Sequence, residues 1–445
     1  MALRRWNGTN EVPLSTRMPV PELTDHLRRA LDDLDYPVNL RSMRPVVLPQ
    51  SSYQELFTAT RRILGLLRRA LLDSAPDAPS RMAALGMSEE HYPLWVDSPW
   101  EEEYATCMAR PDISVTVDGP KFLEMNVGSG IGGVVETHVN SLAWQTAFGG
   151  ADQAPFTGYD PLSARAELFA RAAREFGVTP AVAVVGTLRD LGSVRTTRYF
   201  DLQVASLQRH GLQAEFFEPE DLLDGLGLPG TQRYALGLRH LTVYDWTRLG
   251  LDLSPIRTAL DEGCVLLAPQ SAYLIANKQV LGWISEGRPW MTEDDRAVVD
   301  RYVPWTRIVG DQPTEWRGIT KSIPDLLLAH PEKFVLKPGL GLGGHGVVFG
   351  RSSDETTWHD AVAHAVRTGG YIAQEHLDSV PHRMELAAGD GSGTYEDDVF
   401  PLFSPYLFDD RPAGCLVRYL PPGRDGLISV QGTGALPSIA VAARP

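Results

Sequence analysis

Apolar positions recur at two periods along the chain, and the switches between them outline the elements. From Ser51 to Ser74 the leucines return every three or four residues, the spacing of one buried helix face, and PELTDHLRRALDDLD repeats it nearer the N-terminus. Arg44 to Gln50 reads as a short extended stretch. After Ser88 to His91 and a Trp/Pro-rich loop come two strand-like runs, Ile113 to Val117 and Lys121 to Met125, joined by the turn residues Asp118-Gly119-Pro120. Gly149 to Pro161 reads as a linker. A helical run from Ser163 to Phe176 then opens an alternation of strands (Ala181 to Val185, Ala214 to Phe217, Leu241 to Tyr244) with helical segments, a small parallel-sheet unit of βαβ type. Leu266 to Gln270 and a helix from Ile275 to Ile284 follow. Residues 285–325 look irregular to helical, with RYVPWTRIV a strand-like return. EKFVLKPGLGLGGHGVVFG reads as strand, glycine loop and strand, and a helix from Thr357 to Thr368 leads to GYIAQEHLD. Arg383 to Leu386, FPLFSPYLFDDRPAGCLVRYL and GLISVQGTGA are expected to complete the sheet.

Length and composition narrow the class. A chain of 445 residues needs two or three units, and 43% hydrophobic with 22% charged residues is ordinary for a globular protein. The net charge of −15 argues against nucleic acid or an anionic membrane as partner. No apolar run reaches eighteen residues and the N-terminal stretch lacks an apolar h-region, so neither a spanning helix nor a secretory signal is expected. Cys107, Cys264 and Cys415 are far apart and read as reduced thiols of a cytoplasmic protein. Lysine occurs only at positions 121, 278, 321, 333 and 337, which makes each one a candidate for a specific role.

The candidate chemistry starts at the hairpin. Its ends carry Arg110, Asp112, Glu124 and Asn126, and two carboxylates with an amide oxygen suit a hard cation such as Mg²⁺. A two-residue loop facing Val117 with Pro120 would put Asp112 on the opposite face from Glu124 and Asn126. A three-residue loop would set Asp112 opposite Asn126, and Pro120, unable to donate to a ladder, favours that register. Next, Gly128, Gly130 and Gly133 match GxGxxG between a strand and a helix, the context of a dinucleotide fingerprint. No second strand follows to present a ribose-binding acid, so an NAD(P)-dependent oxidoreductase is the alternative reading. In the parallel-sheet unit, Arg189, Arg195 and Arg198 lie past the first strand's carboxyl end, where they could read a substrate carboxylate. Lys278 sits near a helix start that favours phosphate. Gly341, Gly343, Gly344, His345 and Gly346, after Lys337, form a loop able to cradle phosphates, but with a β run after it and no GK[ST] it is neither a Rossmann turn nor a P-loop. Gln374, Glu375 and Leu377 end a β run whose edge could meet an adenine.

Arg-x-Asp followed by Glu-x-Asn, with the acids twelve positions apart, and then Lys278, Lys337, the glycine loop and Gln374-Glu375, resembles the circularly permuted ATP-grasp ligases, as in glutathionylspermidine synthase. In unpermuted members the acid signature follows the lysines. The chain also looks similar to ATP-grasp peptide ligases of antibiotic biosynthesis of the pheganomycin type. The resemblance implies an α/β fold with α+β lobes: a circularly permuted ATP-grasp fold with a small parallel-sheet α/β domain inserted centrally. Its expected segments are a helical arm at 1–40, the first core segment with the metal hairpin at 41–150, the central substrate-side domain at 151–265, an ATP lobe with a glycine-rich lid at 266–380, and a C-terminal return into the core sheet at 381–445. It implies ATP and Mg²⁺, the metal on Asp112, Glu124 and Asn126, and the nucleotide held by Lys278, Lys337, the glycine loop (His345 without a role of its own), Gln374, Glu375 and Leu377. Arg110 and Arg418 would be catalytic. The reaction would join a small-molecule carboxylate to an amine, an amino acid or peptide, through an acyl phosphate. A homodimer is the default assembly, and a non-catalytic ATP-grasp scaffold is the remaining alternative.

Overall fold

Strands from the two ends of the chain are brought into one sheet. In the computed structural model, which describes residue 6 and residues 18–31, 42–189, 197–222, 234–240, 242–341, 343–388, 393–424, 426–429 and 433–444, a seven-stranded sheet has the order β1 (Val46–Leu48), β19 (Leu436–Ala443), β18 (Arg411–Tyr419), β17 (Leu402–Phe408), β2 (Met108–Thr116), β3 (Gly119–Val127). β4 (Phe156–Thr157) also pairs with β19, inside the stretch expected to be a linker. β1 runs parallel to β19; the other pairs are antiparallel. Every residue of β2 and β17 is buried, so both faces of the sheet's centre are covered.

The covering helices follow the apolar periodicity. α1 (Val20–Leu31) packs on α3 (Val134–Ala147). α2 (Gln50–Ser74) buries Leu56, Phe57, Ile63, Leu64, Leu67 and Leu71 and packs on β17 and β19. α4 (Pro161–Phe176) packs on β18; the Asp160 side chain caps it at Ser163 N–H and Gly177 ends it in the left-handed conformation.

A second, all-parallel sheet has the order β6 (Gln213–Phe217), β5 (Ala181–Val185), β7 (Leu236–Arg239), β8 (Val265–Leu267), with α5 (Thr197–Arg209) on it. Its third strand in sequence is Leu236–Arg239, not the expected Leu241 to Tyr244; Tyr244 lies in helix α6 (Val243–Arg248), capped by the Thr242 side chain, and Leu241 is outside the described residues. Gly237 weakened the strand signal, yet the sheet needs a glycine there: a Cβ would lie 2.4 Å from Leu266 Cδ2.

A third sheet is antiparallel, in the order β13 (Val348–Phe349), β12 (Phe334–Pro338), β14 (Tyr371–Glu375), β9 (Thr306–Ile308), and the glycine loop joins β12 to β13. The expected helix from Ile275 to Ile284 is two helices, α7 (Ala272–Ala276) and α8 (Lys278–Glu286), broken at extended Asn277, whose side chain caps Gln279 N–H. Residues 285–325 hold a helix, Glu293–Tyr302, and the hairpin β10 (Pro313–Trp316)–β11 (Ile319–Ser322). Arg383 to Leu386 does not extend the large sheet but lies in the separate pair β15 (His382–Ala387)–β16 (Thr394–Val399). The closing strand is LPSIAVAA rather than GLISVQGTGA, part of which lies outside the described residues.

One contact tests how tightly α3 is seated. Gly133, its N-cap, has φ 84°, and a Cβ there would sit 2.5 Å from Leu416 Cδ2 and 2.7 Å from the Tyr406 hydroxyl. Gly133→Ala is expected to lower stability by about 2 kcal/mol, read from denaturant unfolding; an unchanged midpoint would contradict this packing.

Candidate functional site

The β2–β3 hairpin places its polar ends on one face by a route the sequence did not show. The turn is the two-residue loop Val117-Asp118; Gly119 and Pro120 are already paired with Thr116 and Val115. This overturns both the three-residue loop and the expectation that Asp112 faces Asn126. Between the Ile113–Phe122 and Asp112–Glu124 pairs the register shifts by one, leaving Leu123 as a bulge. Beyond it Asp112 faces Glu124 and Arg110 faces Asn126, so all four side chains share a face. The Leu123 carbonyl, outside the regular ladder, accepts a hydrogen bond from Lys337 Nζ at 3.2 Å.

β17 and β18 complete the inner shell. Arg418 donates to Asp112 Oδ1 and to Ser404 Oγ (3.1 Å), and Ser404 Oγ donates to Asp112 Oδ1 at 3.0 Å. Arg110 lies 3.6 Å from the same oxygen and donates to the Gly132 carbonyl at 3.0 Å, an oxygen that also accepts from the Tyr406 hydroxyl. Burial pushes the Asp112 carboxyl up, but the Arg418 and Arg110 guanidiniums and the hydrogen bonds from Arg418 and Ser404 outweigh it and bring the pKa down to about 2.

The lysines arrive from two later segments. Lys278, the first residue of α8, lies 3.3 Å from Glu124 Oε2 and donates to the Gly341 carbonyl at 3.1 Å. Lys337, on β12, donates to Gln374 Oε1 at 2.6 Å; Gln374 Nε2 in turn donates to Thr306 Oγ1 at 3.1 Å. Burial pulls the Lys337 ammonium down to about 8; Lys278 adds to the fall, while Glu124 and Asp112 oppose it. Gln374 thus orients Lys337. Four cations, Arg110, Lys278, Lys337 and Arg418, converge on two carboxylates, Asp112 and Glu124, a balance that attracts a polyanion.

Most of these groups border a cavity of about 1040 Å³ whose lining includes Arg110, Asp112, Glu124, Asn126, Lys337, Gly343, Gly344, Gln374, Glu375, Leu377 and Arg418. Lys278, Gly341, His345 and Gly346 do not line it, and His345 is exposed. Gly344 sits under Leu427, with no room for a Cβ. At the end of β14 the Glu375 and His376 N–H groups are taken by the Trp305 and Lys333 carbonyls, and the Glu375 carboxylate pairs with Arg317 at 2.7 Å. These two N–H groups are therefore not open to an adenine.

The donor set fits a hard cation. Among the described residues no group of three or more His, Cys, Asp or Glu side chains is placed to hold a metal ion, but Mg²⁺ bound with phosphates needs only one or two carboxylates. Among those residues each bond or ion pair to Asp112 falls on Oδ1, which leaves Oδ2 for a ligand. The Asn126 amide donates to Glu124 Oε1 at 3.4 Å, keeping its oxygen available.

Of the three candidate substrate arginines, the two described are not brought to the cavity. Arg189 pairs with Glu220 at 2.9 Å on the surface, Arg198 is exposed and does not line the cavity, and Arg195 lies outside the described residues. The parallel-sheet unit instead contributes Tyr199, His240, Thr242, Asp245 and Tyr273. Sequence reasoning missed them, along with Ser404 and Glu136; the position of His240 and Thr242 just past a parallel strand was the available signal, hidden by the misplaced third strand. The GxGxxG loop follows an antiparallel hairpin strand, so it lacks the βαβ frame of a dinucleotide site. No described helix is long and apolar enough to cross a membrane.

Comparison with solved structures agrees with this architecture. A glutathione synthetase-like effector from Globodera pallida, in its apo form, superposes with a TM-score of 0.57 at 15% identity, over 96% of this chain and 98% of that one. A Methylobacillus flagellatus protein described as a gamma-glutamylcysteine synthetase matches at 13% identity over 86% of this chain and 87% of its own, but its TM-score of 0.44 is too low to bear on the fold. No family model and no curated protein sequence matches the chain. The fold is thus like that of the glutathione synthetase-like effector, a mixed α/β architecture of several sheets.

The buried charges make two predictions. Asp112→Asn leaves Arg418 and Arg110 without their counter-ion and is expected to cost about 3–5 kcal/mol in denaturant unfolding; a loss under 1 kcal/mol would refute the ion-pair geometry. Lys337 is charged below its pKa of about 8 and neutral above it, so the affinity of the site for a polyanion, inorganic triphosphate, measured by calorimetry is expected to fall above that pH, by up to about tenfold per unit, and Lys337→Met is expected to abolish the dependence.

Proposed function

We propose that the chain is an ATP-dependent carboxylate–amine ligase that forms an amide bond through an acyl phosphate. The observation that carries the reading is the convergence of the hairpin acids with Lys337 at one cavity, with Lys278, from another segment far along the chain, paired to Glu124. The early position of the acids, ahead of the lysines, supports a circularly permuted ATP-grasp arrangement, with the parallel-sheet unit as a central insertion and the segment boundaries as expected. A peptide ligase of specialised metabolism is the finer reading, and it rests on the resemblance of the motifs. Three free, buried cysteines suit a reducing, cytoplasmic setting.

The residues divide the work as follows. Lys278 and Lys337 hold phosphate oxygens; Lys278 exchanges its contacts with Glu124 and the Gly341 carbonyl for them, while Gln374 and the Leu123 carbonyl keep Lys337 in place. Asp112, Glu124 and Asn126 are the residues that would hold Mg²⁺, which when bound offsets charge on the transferring phosphoryl group. Arg110, fixed by the Gly132 carbonyl, faces the charge that develops on the phosphoryl group and on the oxyanion of the tetrahedral intermediate after the amine attacks. Arg418 holds Asp112 ionised and in position. The glycine loop covers the phosphates and keeps water from the acyl phosphate.

The test is a screen of paired amino acids and peptides for ADP release, with mass detection of the product. ADP is expected only when both a carboxylate and an amine are present, and Glu124→Gln is expected to lower the rate about 100-fold. Undiminished turnover in that variant, or NAD(P)H binding without ATP binding, would sink the proposal.

A further inference from the structure

Both acids of the hairpin are engaged by cations of the protein itself. Asp112 Oδ1 accepts from Arg418 and Ser404 and lies 3.6 Å from Arg110. Glu124 Oε2 lies 3.3 Å from Lys278 Nζ, and its Oε1 accepts from the Asn126 amide at 3.4 Å. The two lysines of the site are held differently. Lys337 Nζ rests on uncharged acceptors, the Leu123 carbonyl and Gln374 Oε1. Lys278 Nζ divides its contacts between the Gly341 carbonyl and a carboxylate. The backbone around Lys278 is fixed as well: the Asn277 side chain caps α8 at Gln279 N–H, and Lys278 N–H donates to the Gly339 carbonyl at 2.8 Å. Lys278 is buried, and a buried ammonium is stable only when paired, so it gives up Glu124 only for another anion.

One carboxylate oxygen cannot serve an ammonium and a divalent cation at once. A free cation entering the site meets the ammonium on Glu124 Oε2, and four positive side chains against two negative ones. A polyphosphate has the opposite effect. It supplies the charge that Lys278 takes in exchange for Glu124, which leaves Oε2 open beside the phosphate oxygens. Such coupling is reciprocal: the factor by which the polyanion raises cation affinity is the factor by which the cation raises polyanion affinity.

We infer that Lys278 gates the metal position: it holds Glu124 Oε2 against a free divalent cation and yields it to a polyphosphate, so that the site takes up a metal–polyphosphate complex and excludes the bare ion. The inference rests on the ligase reading for the identity of the polyanion, ATP, and adds how the metal is admitted. Lys337, seated on neutral acceptors, holds phosphate without this second role.

The test is equilibrium binding of Mn²⁺ to the full-length protein without nucleotide, with the free ion counted by its electron-spin signal. Mn²⁺ takes the same oxygen ligands as Mg²⁺. At pH 7 Asp112 is ionised and Lys337 charged. The wild-type chain is expected to bind the preformed Mn²⁺–triphosphate complex at least 100-fold tighter than Mn²⁺ alone, on the order of the coupling known between linked sites. Lys278→Met is expected to bind Mn²⁺ alone about tenfold tighter than wild type, whereas Lys337→Met, which removes the same charge from neutral acceptors, gains less than about threefold. Adding Glu124→Gln to Lys278→Met is expected to erase the gain. Wild-type affinity for Mn²⁺ alone within about threefold of that for the complex would overturn the gate without any variant. So would an equal gain in Lys337→Met, which would make the effect one of net charge, or a gain that survives Glu124→Gln. Nothing turns over in these measurements, so the two claims fail separately. Gated binding without amide formation would refute the ligase reading alone, and amide formation by a chain that binds the bare ion as tightly as the complex would refute the gate alone.

Discussion

One extra residue in a β ladder sets the geometry on which the site depends. With the two-residue turn at Val117-Asp118, an unbroken ladder would turn Glu124 and Asn126 away from Asp112. The bulge at Leu123 restores a common face for Arg110, Asp112, Glu124 and Asn126. It also presents the carbonyl that anchors Lys337 Nζ. The same local distortion therefore aligns the acids and ties the hairpin to the sheet that carries the glycine loop. Bulges are a common device for re-aiming side chains near active sites, and here both consequences can be named.

The charge network explains why the hairpin needs strands from the far end of the chain. Asp112 is buried, and a buried carboxylate is tolerated only when paired and hydrogen-bonded. Its partners Arg418 and Ser404 come from β18 and β17, which reach β2 only because the C-terminal strands return into the sheet. Lys337 shows the opposite balance: burial lowers its pKa and nearby carboxylates only partly compensate. A polyanion entering the cavity would supply the missing negative charge. Pre-set cations strengthen the interaction with phosphate, because little reorganisation is then needed.

Much of this was readable from the sequence. The helix Gln50–Ser74, the first two parallel strands and the strand–glycine loop–strand segment follow from periodicity and turn residues. The bulge was not readable, because an inserted residue leaves no mark in an alternation already interrupted by polar ends. β7 was misplaced because Gly237, required by packing against Leu266, erased its hydrophobic signal. That error hid His240, Thr242 and Asp245 and left Arg189, Arg195 and Arg198 as the visible polar groups of that unit. Gln374 looked like part of a nucleotide hinge; only the register of β12 against β14 shows that its amide reaches Lys337.

The central claim, that a carboxylate is activated by phosphorylation at the hairpin, is tested most directly by isotope transfer. The carboxylate substrate is labelled with ¹⁸O in its carboxyl group and turned over with ATP and the amine, and the released phosphate is analysed by mass spectrometry. The account predicts one ¹⁸O atom in each phosphate, carried over from the acyl phosphate. Unlabelled phosphate formed alongside the amide would contradict it.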